Sequence, residues 1–109
     1  MAHSKKPRRA EPRRTTTRRV VWRDVTCRVR HTRDYLVEGS DHVELMVLTP
    51  KGALLPITDT GYLSHFIDAG ELDAAGGAVR FMLDWMEREA KSTRFRKADF
   101  KSRQLKLFE

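Results

Sequence analysis

Apolar residues alternate with polar ones in the first half of this chain and recur at helical spacing in the second half. Within residues 20–31, Val21, Val25, Cys27 and Val29 fall on one side of an extended backbone. Alternation with many β-branched residues is typical of a half-buried strand. The pattern therefore predicts a first strand here, with Cys27 turned inward as a small apolar side chain.

A second strand is predicted over residues 42–49, where Val43, Leu45 and Val47 share one side. Its other side is also partly apolar, as expected of a central strand that is covered on both faces. A tight turn is predicted at residues 49–52, because Pro50 pre-sets the second turn position and Gly52 takes the left-handed one. We expect residues 53–57 to return as a third strand. It would lie at an edge or end there, because Pro56 cannot donate a backbone hydrogen bond.

Helices are predicted after this hairpin. Residues 62–68 are expected to form a short helix, which Asp59 or Thr60 would cap. The main helix is predicted over residues 78–91, because apolar side chains recur there with a period of 3.6 residues. These side chains are Val79, Met82, Leu83 and Met86, with Phe81 and Trp85 beside them.

The fold class that these elements predict is α+β. We expect a small three-stranded antiparallel sheet, packed by one main helix and a shorter one. Residues 70–77 would form a break with a short turn of helix, and residues 92–101 would either continue as helix or link to the chain end. With 109 residues and a single cysteine, the chain is expected to form one domain in a reducing, cytoplasmic compartment. It has no apolar run long enough for a membrane span.

Charge divides the chain into three parts. Residues 20–91 are slightly acidic, with eight basic and twelve acidic side chains, and form the predicted domain. Residues 92–109 carry six basic and two acidic side chains. Residues 1–19 are predicted to be a disordered basic arm, which either contacts DNA or RNA phosphates or only aids solubility. Its basic side chains are Lys5, Lys6, Arg8, Arg9, Arg13, Arg14, Arg18 and Arg19.

The last residues of the sequence carry the pattern Q-L-x-L-F. Its residues are Gln104, Leu105, Leu107 and Phe108. Large apolar side chains in a charged tail need a cover, either on the same domain or on a partner. The structural alternative is a last edge strand, in which Leu105 and Leu107 alternate with Lys106 and Phe108.

This pattern resembles the peptide by which bacterial polymerases, mismatch-repair and replication-control proteins dock on the β sliding clamp (DnaN). The resemblance implies that Gln104 is a polar anchor and Leu105 the first apolar contact. Leu107 and Phe108 would fill a preformed pocket. Lys106 departs from the small or acidic residue that the family prefers, at a position that should point away from the pocket.

Candidate catalytic chemistry is weak. Asp59-Thr60-Gly61 resembles the D-T-G triplet of aspartic proteases, but a capping turn explains it, and the helices expected after it do not suit that fold. The histidines match no closed zinc set, and no phosphate-binding loop is present. Trp22, Arg28 and Arg30, on the polar side of the first predicted strand, could stack or bind a phosphate, although a solvated face explains them equally well. We therefore expect no catalytic residues, no metal site and no cofactor.

The sequence thus predicts a non-enzymatic protein whose partner is the bacterial sliding clamp. By occupying the pocket, it would exclude polymerases and inhibit elongation, as clamp-targeting toxins do. An antitoxin or a proteolytic adaptor would be a further partner. The alternative is a DNA-binding or mobile-element accessory protein with a structural tail. A three-stranded sheet with a helix resembles the sheet-reading DNA-binding domains of plant AP2 factors and some phage integrases.

Overall fold

The computed structural model describes residues 14–107. Four strands form one antiparallel sheet in the order β1-β2-β3-β4: β1 Thr15–Trp22, β2 Val25–Thr32, β3 Ser40–Thr49 and β4 Tyr62–Asp68. Within the described residues, three helices follow the sheet: α1 Ala69–Ala74, α2 Ala78–Glu89 and α3 Thr93–Lys106. The α+β class is confirmed, and the predicted number of three strands is wrong by one.

The predicted first strand is two strands joined by a tight turn. Trp22 pairs with Val25, so that only Arg23 and Asp24 form the connection, and Arg23 adopts a positive φ of 54°. A two-residue hairpin usually carries Asn or Gly at such a position, and their absence concealed the turn. The turn reverses the alternation, so that Trp22 is buried whereas Val21 is 64% exposed.

The β1–β2 hairpin also takes in the end of the predicted basic arm. Residues 15–19 are part of β1, where they pair with residues 28–32 of β2. The prediction of disorder is therefore wrong for these five residues. For residues 1–13 it lies outside the described part of the chain.

The predicted helix over residues 62–68 is strand β4. It pairs with the free edge of β3, from Met46 opposite Tyr62 to Ser40 opposite Asp68. The predicted third strand at residues 53–57 is instead an irregular loop with a single bridge between Leu55 and Thr58. Its buried Leu55 closes one end of the core.

The turn before this loop occurs one residue later than predicted. The Ala53 N–H donates to the Pro50 carbonyl over 3.1 Å, and Gly52 takes the left-handed position with φ of 77°. The Thr49–Pro50 peptide bond is cis.

The core lies between the helices and one face of the sheet. We call this face the covered face; its alternate residues pair across the strands, as Cys27 with Val47 and Leu45 with Leu63 do. Helix α2 is confirmed, and its Met82 and Met86 are fully buried against this face. The buried apolar residues are Trp22, Val25, Cys27, Val29, Val43, Leu45, Leu55, Leu72, Met82, Met86, Ala90 and Phe95.

Side-chain caps and one aromatic contact set the positions of the flanking helices. The Asp68 carboxylate accepts from the N–H groups of Gly70 and Glu71, which begins α1 directly after β4. The Ser92 hydroxyl accepts from the N–H of Phe95 and begins α3. Phe95 then packs on Trp22 with ring centroids 6.0 Å apart. Within residues 14–107, no helix has the length and apolarity that a membrane span requires.

Candidate functional site

The predicted clamp-binding residues lie at the end of helix α3. Gln104 and Leu105 are helical, Leu107 is the C-cap residue, and Phe108 lies outside the described residues. Leu105 is 61% exposed and Leu107 is 76% exposed. The alternative of an edge strand is wrong for residues 104–106, and the domain does not cover these side chains.

Helix α3 turns only one side toward the domain. Phe95, Asp99, Ser102, Arg103 and Lys106 line a cavity of about 130 Å³, whose opposite wall is formed by residues 22–25 and 50–54. This spacing follows one face of a helix. The rest of α3 faces away from that wall, where Phe100 is 65% exposed.

The helical conformation separates the two exposed leucines of the tail. Successive helical residues are rotated by about 100°, so that Leu105 and Leu107 lie about 200° apart around the axis. They cannot both enter one pocket from this conformation. In an extended chain, residues two apart share a side, and both leucines would point in the same direction.

The described part of the basic arm is exposed. Arg14 immediately precedes β1, and Arg18 and Arg19 lie within it. Arg19 stands directly opposite Arg28 of β2. The remaining predicted nucleic-acid contacts, Lys5, Lys6, Arg8, Arg9 and Arg13, lie outside the described residues.

The side of the sheet opposite the core, which we call the open face, carries an aromatic cluster that the sequence did not predict. The His42 ring lies 4.7 Å from the Tyr35 ring and 4.7 Å from the Phe66 ring, measured between centroids. His42 is buried beneath these rings, and its Nε2 lies 2.6 Å from the Ser64 hydroxyl. Phe66 is 49% exposed.

Polar groups border this cluster on the open face. Arg30 contacts Glu44 over 3.4 Å, and the Tyr62 hydroxyl donates to the other oxygen of the same carboxylate over 2.5 Å. Arg28 points its Nη2 at the Met46 sulfur, 3.4 Å away. A cavity of about 350 Å³ opens between β1 and the cluster, lined by Thr15, Arg30, Thr32, Tyr35, His42 and Glu44.

These residues came from segments that the pattern analysis treated separately. Arg28 and Arg30 were candidates for phosphate contact from their shared side of a strand. Phe66 was missed because residues 62–68 were expected to be helical. The alternation of Tyr62, Ser64 and Phe66 with Leu63, His65 and Ile67 was the signal that could have identified a strand with one open side.

Two further titratable groups near the sheet, His31 and Cys27, are explained by the structure around them. His31 Nε2 lies 2.7 Å from a carboxylate oxygen of the buried Asp41, which also accepts from the N–H of Asp34 and so holds the β2–β3 loop. Burial raises the pKa of the Cys27 thiol, which favours its protonated form. Across residues 14–107, no group of three or more His, Cys, Asp or Glu side chains could hold a metal ion.

The D-T-G triplet occupies the loop before β4. The helices that were expected after it, which counted against a protease, are not there, because β4 follows directly. The Asp59 side chain is 83% exposed and lies 3.7 Å from Arg94 of α3. This open ion pair is unlike the enclosed pair of carboxylates on which aspartic proteases depend.

Comparison with known proteins identifies one relationship. Residues 15–95 match the model of a family described as the KlcB third domain. The matched range extends from the start of β1 to Phe95, the residue that anchors α3 on the core. Neither the curated proteins nor the solved structures contain a match to this chain.

Proposed function

The chain belongs to the KlcB third-domain family, and within that family we propose that it is a non-enzymatic protein that docks on the bacterial β sliding clamp. Docking would occur through Gln104, Leu105, Leu107 and Phe108. The observation that carries this proposal is the exposure of Leu105 and Leu107 at the end of α3. The domain leaves both side chains largely exposed. Burial of each one in a pocket on a partner would stabilise the complex by about 1.5–3 kcal/mol.

Docking requires the last turn of α3 to open. The pattern resembles a peptide that enters one pocket, and the two leucines share a side only when the chain is extended. Opening this turn costs little, because the last carbonyls of a helix have no intrahelical partner and helix ends fray. The hydrogen bond from the Leu107 N–H to the Gln104 carbonyl, 3.1 Å long, is one that would be lost.

Occupation of the clamp pocket would exclude polymerases that carry the same peptide. A protein that acts only by occupying the pocket would inhibit elongation by competition, as clamp-targeting toxins do. An antitoxin or a proteolytic adaptor could then control its level, and its site of action would be the cytoplasmic replication fork.

Calorimetry with a purified bacterial sliding clamp tests this proposal. The intact protein should bind with micromolar affinity, and the double variant Leu107→Ala/Phe108→Ala should bind at least about 30-fold more weakly if these side chains are hot spots. Phe100→Ala is the matched control, because it removes an exposed aromatic ring from the same helix. Absence of binding by the intact protein, or equal weakening by the control, would contradict the proposal.

A second candidate function is nucleic-acid contact by the basic arm, as in a DNA-binding or mobile-element accessory protein. It is favoured by the exposure of Arg14, Arg18 and Arg19 where the arm meets the sheet. Such contacts release counterions from phosphates, so affinity should fall steeply with salt, whereas apolar docking on the clamp should not. Titrations at two salt concentrations, on duplex DNA and on the clamp, separate the two functions.

A further inference from the structure

We propose that the open face of the sheet binds single-stranded nucleic acid, with bases stacked on the cluster of Tyr35, His42 and Phe66. This inference deepens the second candidate function by naming the ligand and a surface, the open face, that adjoins the end of the basic arm. It does not depend on clamp docking.

The aromatic cluster offers a platform for stacking. His42 is 7% exposed and supports Tyr35 and Phe66 at 4.7 Å, while Phe66 leaves 49% of its surface in solvent. The Tyr35 and Phe66 rings also contact each other, with centroids 5.8 Å apart. Every nucleobase has a π-face. An exposed aromatic side chain that is held in place by its neighbours therefore binds single-stranded nucleic acid with little sequence preference.

Exposed rings favour a single strand over a duplex. The π-faces of paired bases are already stacked on their neighbours inside a double helix, so Phe66 could reach them only by unstacking the duplex. Sheet-based recognition of single-stranded RNA elsewhere uses aromatic side chains on an open four-stranded sheet in this way. Within residues 14–107, the open face has similar elements: four strands, no helix packed on this side, and partly exposed aromatic rings.

Arginines on the neighbouring strands provide phosphate contacts. Arg28 has a thioether sulfur as its side-chain partner and no carboxylate among residues 14–107 within ion-pair distance. It also stands opposite Arg19, and like charges directly opposite each other destabilise a strand pair. A phosphate between β1 and β2 would relieve this repulsion. Arg28 lies two strands across and four residues along the sheet from Phe66, which by strand geometry is a separation of roughly 17 Å between backbones.

The acidic groups on the open face have partners. Glu44 forms an ion pair with Arg30 and accepts a hydrogen bond from the Tyr62 hydroxyl. Asp68 caps helix α1. Of these two carboxylates, Glu44 is paired with Arg30, and the N–H groups at the start of α1 partly offset the charge of Asp68.

The basic arm joins the sheet beside the aromatic rings. Thr15, the first residue of β1, lines the same cavity as Tyr35 and His42. Arg14 precedes it and is exposed. A nucleic-acid strand whose bases stack on the cluster would thus have its phosphate backbone close to the point where the basic arm meets the sheet.

Fluorescence anisotropy with the full chain tests the proposal. The probes are labelled oligothymidine DNA, oligouridine RNA and a duplex DNA of the same length. Phe66→Ala should raise the dissociation constant for the single strands about tenfold, as loss of one stacked base does. Arg28→Ala should also weaken binding and reduce its dependence on salt. The two single-stranded probes show whether DNA or RNA is preferred.

Matched variants separate stacking from folding and from general charge. Phe100→Ala and Arg94→Ala remove an exposed ring and an exposed arginine from α3, and both should bind within about twofold of the unmodified protein. Phe66→Leu keeps an apolar side chain but no ring, and it should bind as weakly as Phe66→Ala. Circular dichroism checks that each variant is folded.

Three results would overturn the proposal. The first is binding by Phe66→Ala equal to that of the unmodified protein, and the second is rescue by Phe66→Leu. The third is a duplex that binds as tightly as the single strands. A variant with glutamine at positions Lys5, Lys6, Arg8 and Arg9 distinguishes failure of this proposal from failure of nucleic-acid contact by the basic arm. Loss of binding only in this variant supports the arm alone, whereas loss only in the Phe66 variants supports the sheet alone.

Discussion

The two faces of the sheet are built from alternate residues of the same strands but have opposite surroundings. On the covered face, Val43 and Leu45 of β3 are fully buried beneath the helices. On the open face, Tyr62 and Phe66 of β4 remain 42% and 49% exposed. Burial on the first face supplies most of the folding free energy, whereas half-exposed rings on the second supply little. The open face therefore contributes less to stability than the covered face does, and its rings remain partly exposed to solvent.

The largest expected effect contrasts one residue from each face. Leu45→Ala should lower the free energy of unfolding by about 2–5 kcal/mol, because it leaves a cavity in a closely packed core. Phe66→Ala should cost no more than about 1.5 kcal/mol, chiefly its ring contacts with His42 and Tyr35. Urea unfolding followed by circular dichroism measures both. Equal losses would mean that the open face contributes to stability as much as the core does.

A smaller effect is expected in how the free energy of unfolding depends on pH, through the Tyr62–Glu44 hydrogen bond on the open face. The hydrogen bond from Tyr62 to Glu44 raises the pKa of Tyr62 above its ordinary value, and the Glu44 charge acts in the same direction. The native state therefore holds this proton more tightly than the unfolded chain does. The resulting stabilisation is fully present below about pH 10, the ordinary pKa of tyrosine, and is lost as pH rises through the folded pKa.

Tyr62→Phe should therefore have a lower free energy of unfolding than the unmodified protein below about pH 10. This difference should narrow at higher pH. Urea unfolding at several alkaline pH values measures this difference. A gap that widens with pH would contradict the assigned hydrogen bond.

The smallest stability effect is expected at the end of α3. Leu105→Ala and Leu107→Ala should each change the free energy of unfolding by less than about 0.5 kcal/mol, because both side chains are largely exposed. Thermal and urea unfolding measure this. If either variant loses more than about 1 kcal/mol, the domain covers the tail in solution, and the argument for a docking peptide fails.

Part of the fold could be predicted from the sequence because local patterns were strong. Helix α2 carries an apolar stripe over about two turns, and its Met82 and Met86 lie where that stripe placed them. Strand β3 places Val43, Leu45 and Val47 on one side, and these side chains pack in or against the core. Each pattern reports on one element alone and requires no knowledge of the neighbours.

Errors occurred where the neighbours decided the outcome. Residues 62–68 contain apolar pairs at positions 62–63 and 66–67, a spacing that a short helix also satisfies. A strand is more favourable than a helix for these residues, because pairing with the free edge of β3 satisfies the backbone hydrogen-bonding groups of both segments. The turn at Arg23 and Asp24 likewise exists because closing the hairpin buries Trp22 against Phe95.

The sequence by itself determined the α+β class, the main helix, the distribution of charge and the clamp-like pattern at residues 104–108. Only the tertiary structure decided that Tyr35, His42 and Phe66 meet on one open surface, because they come from a loop and two strands whose register brings them together. It also decided that the end of the tail is helical and that Leu105 and Leu107 stay exposed. Alternation fixes which residues share a face of a strand, but the packing of helices against the sheet selects which face meets water.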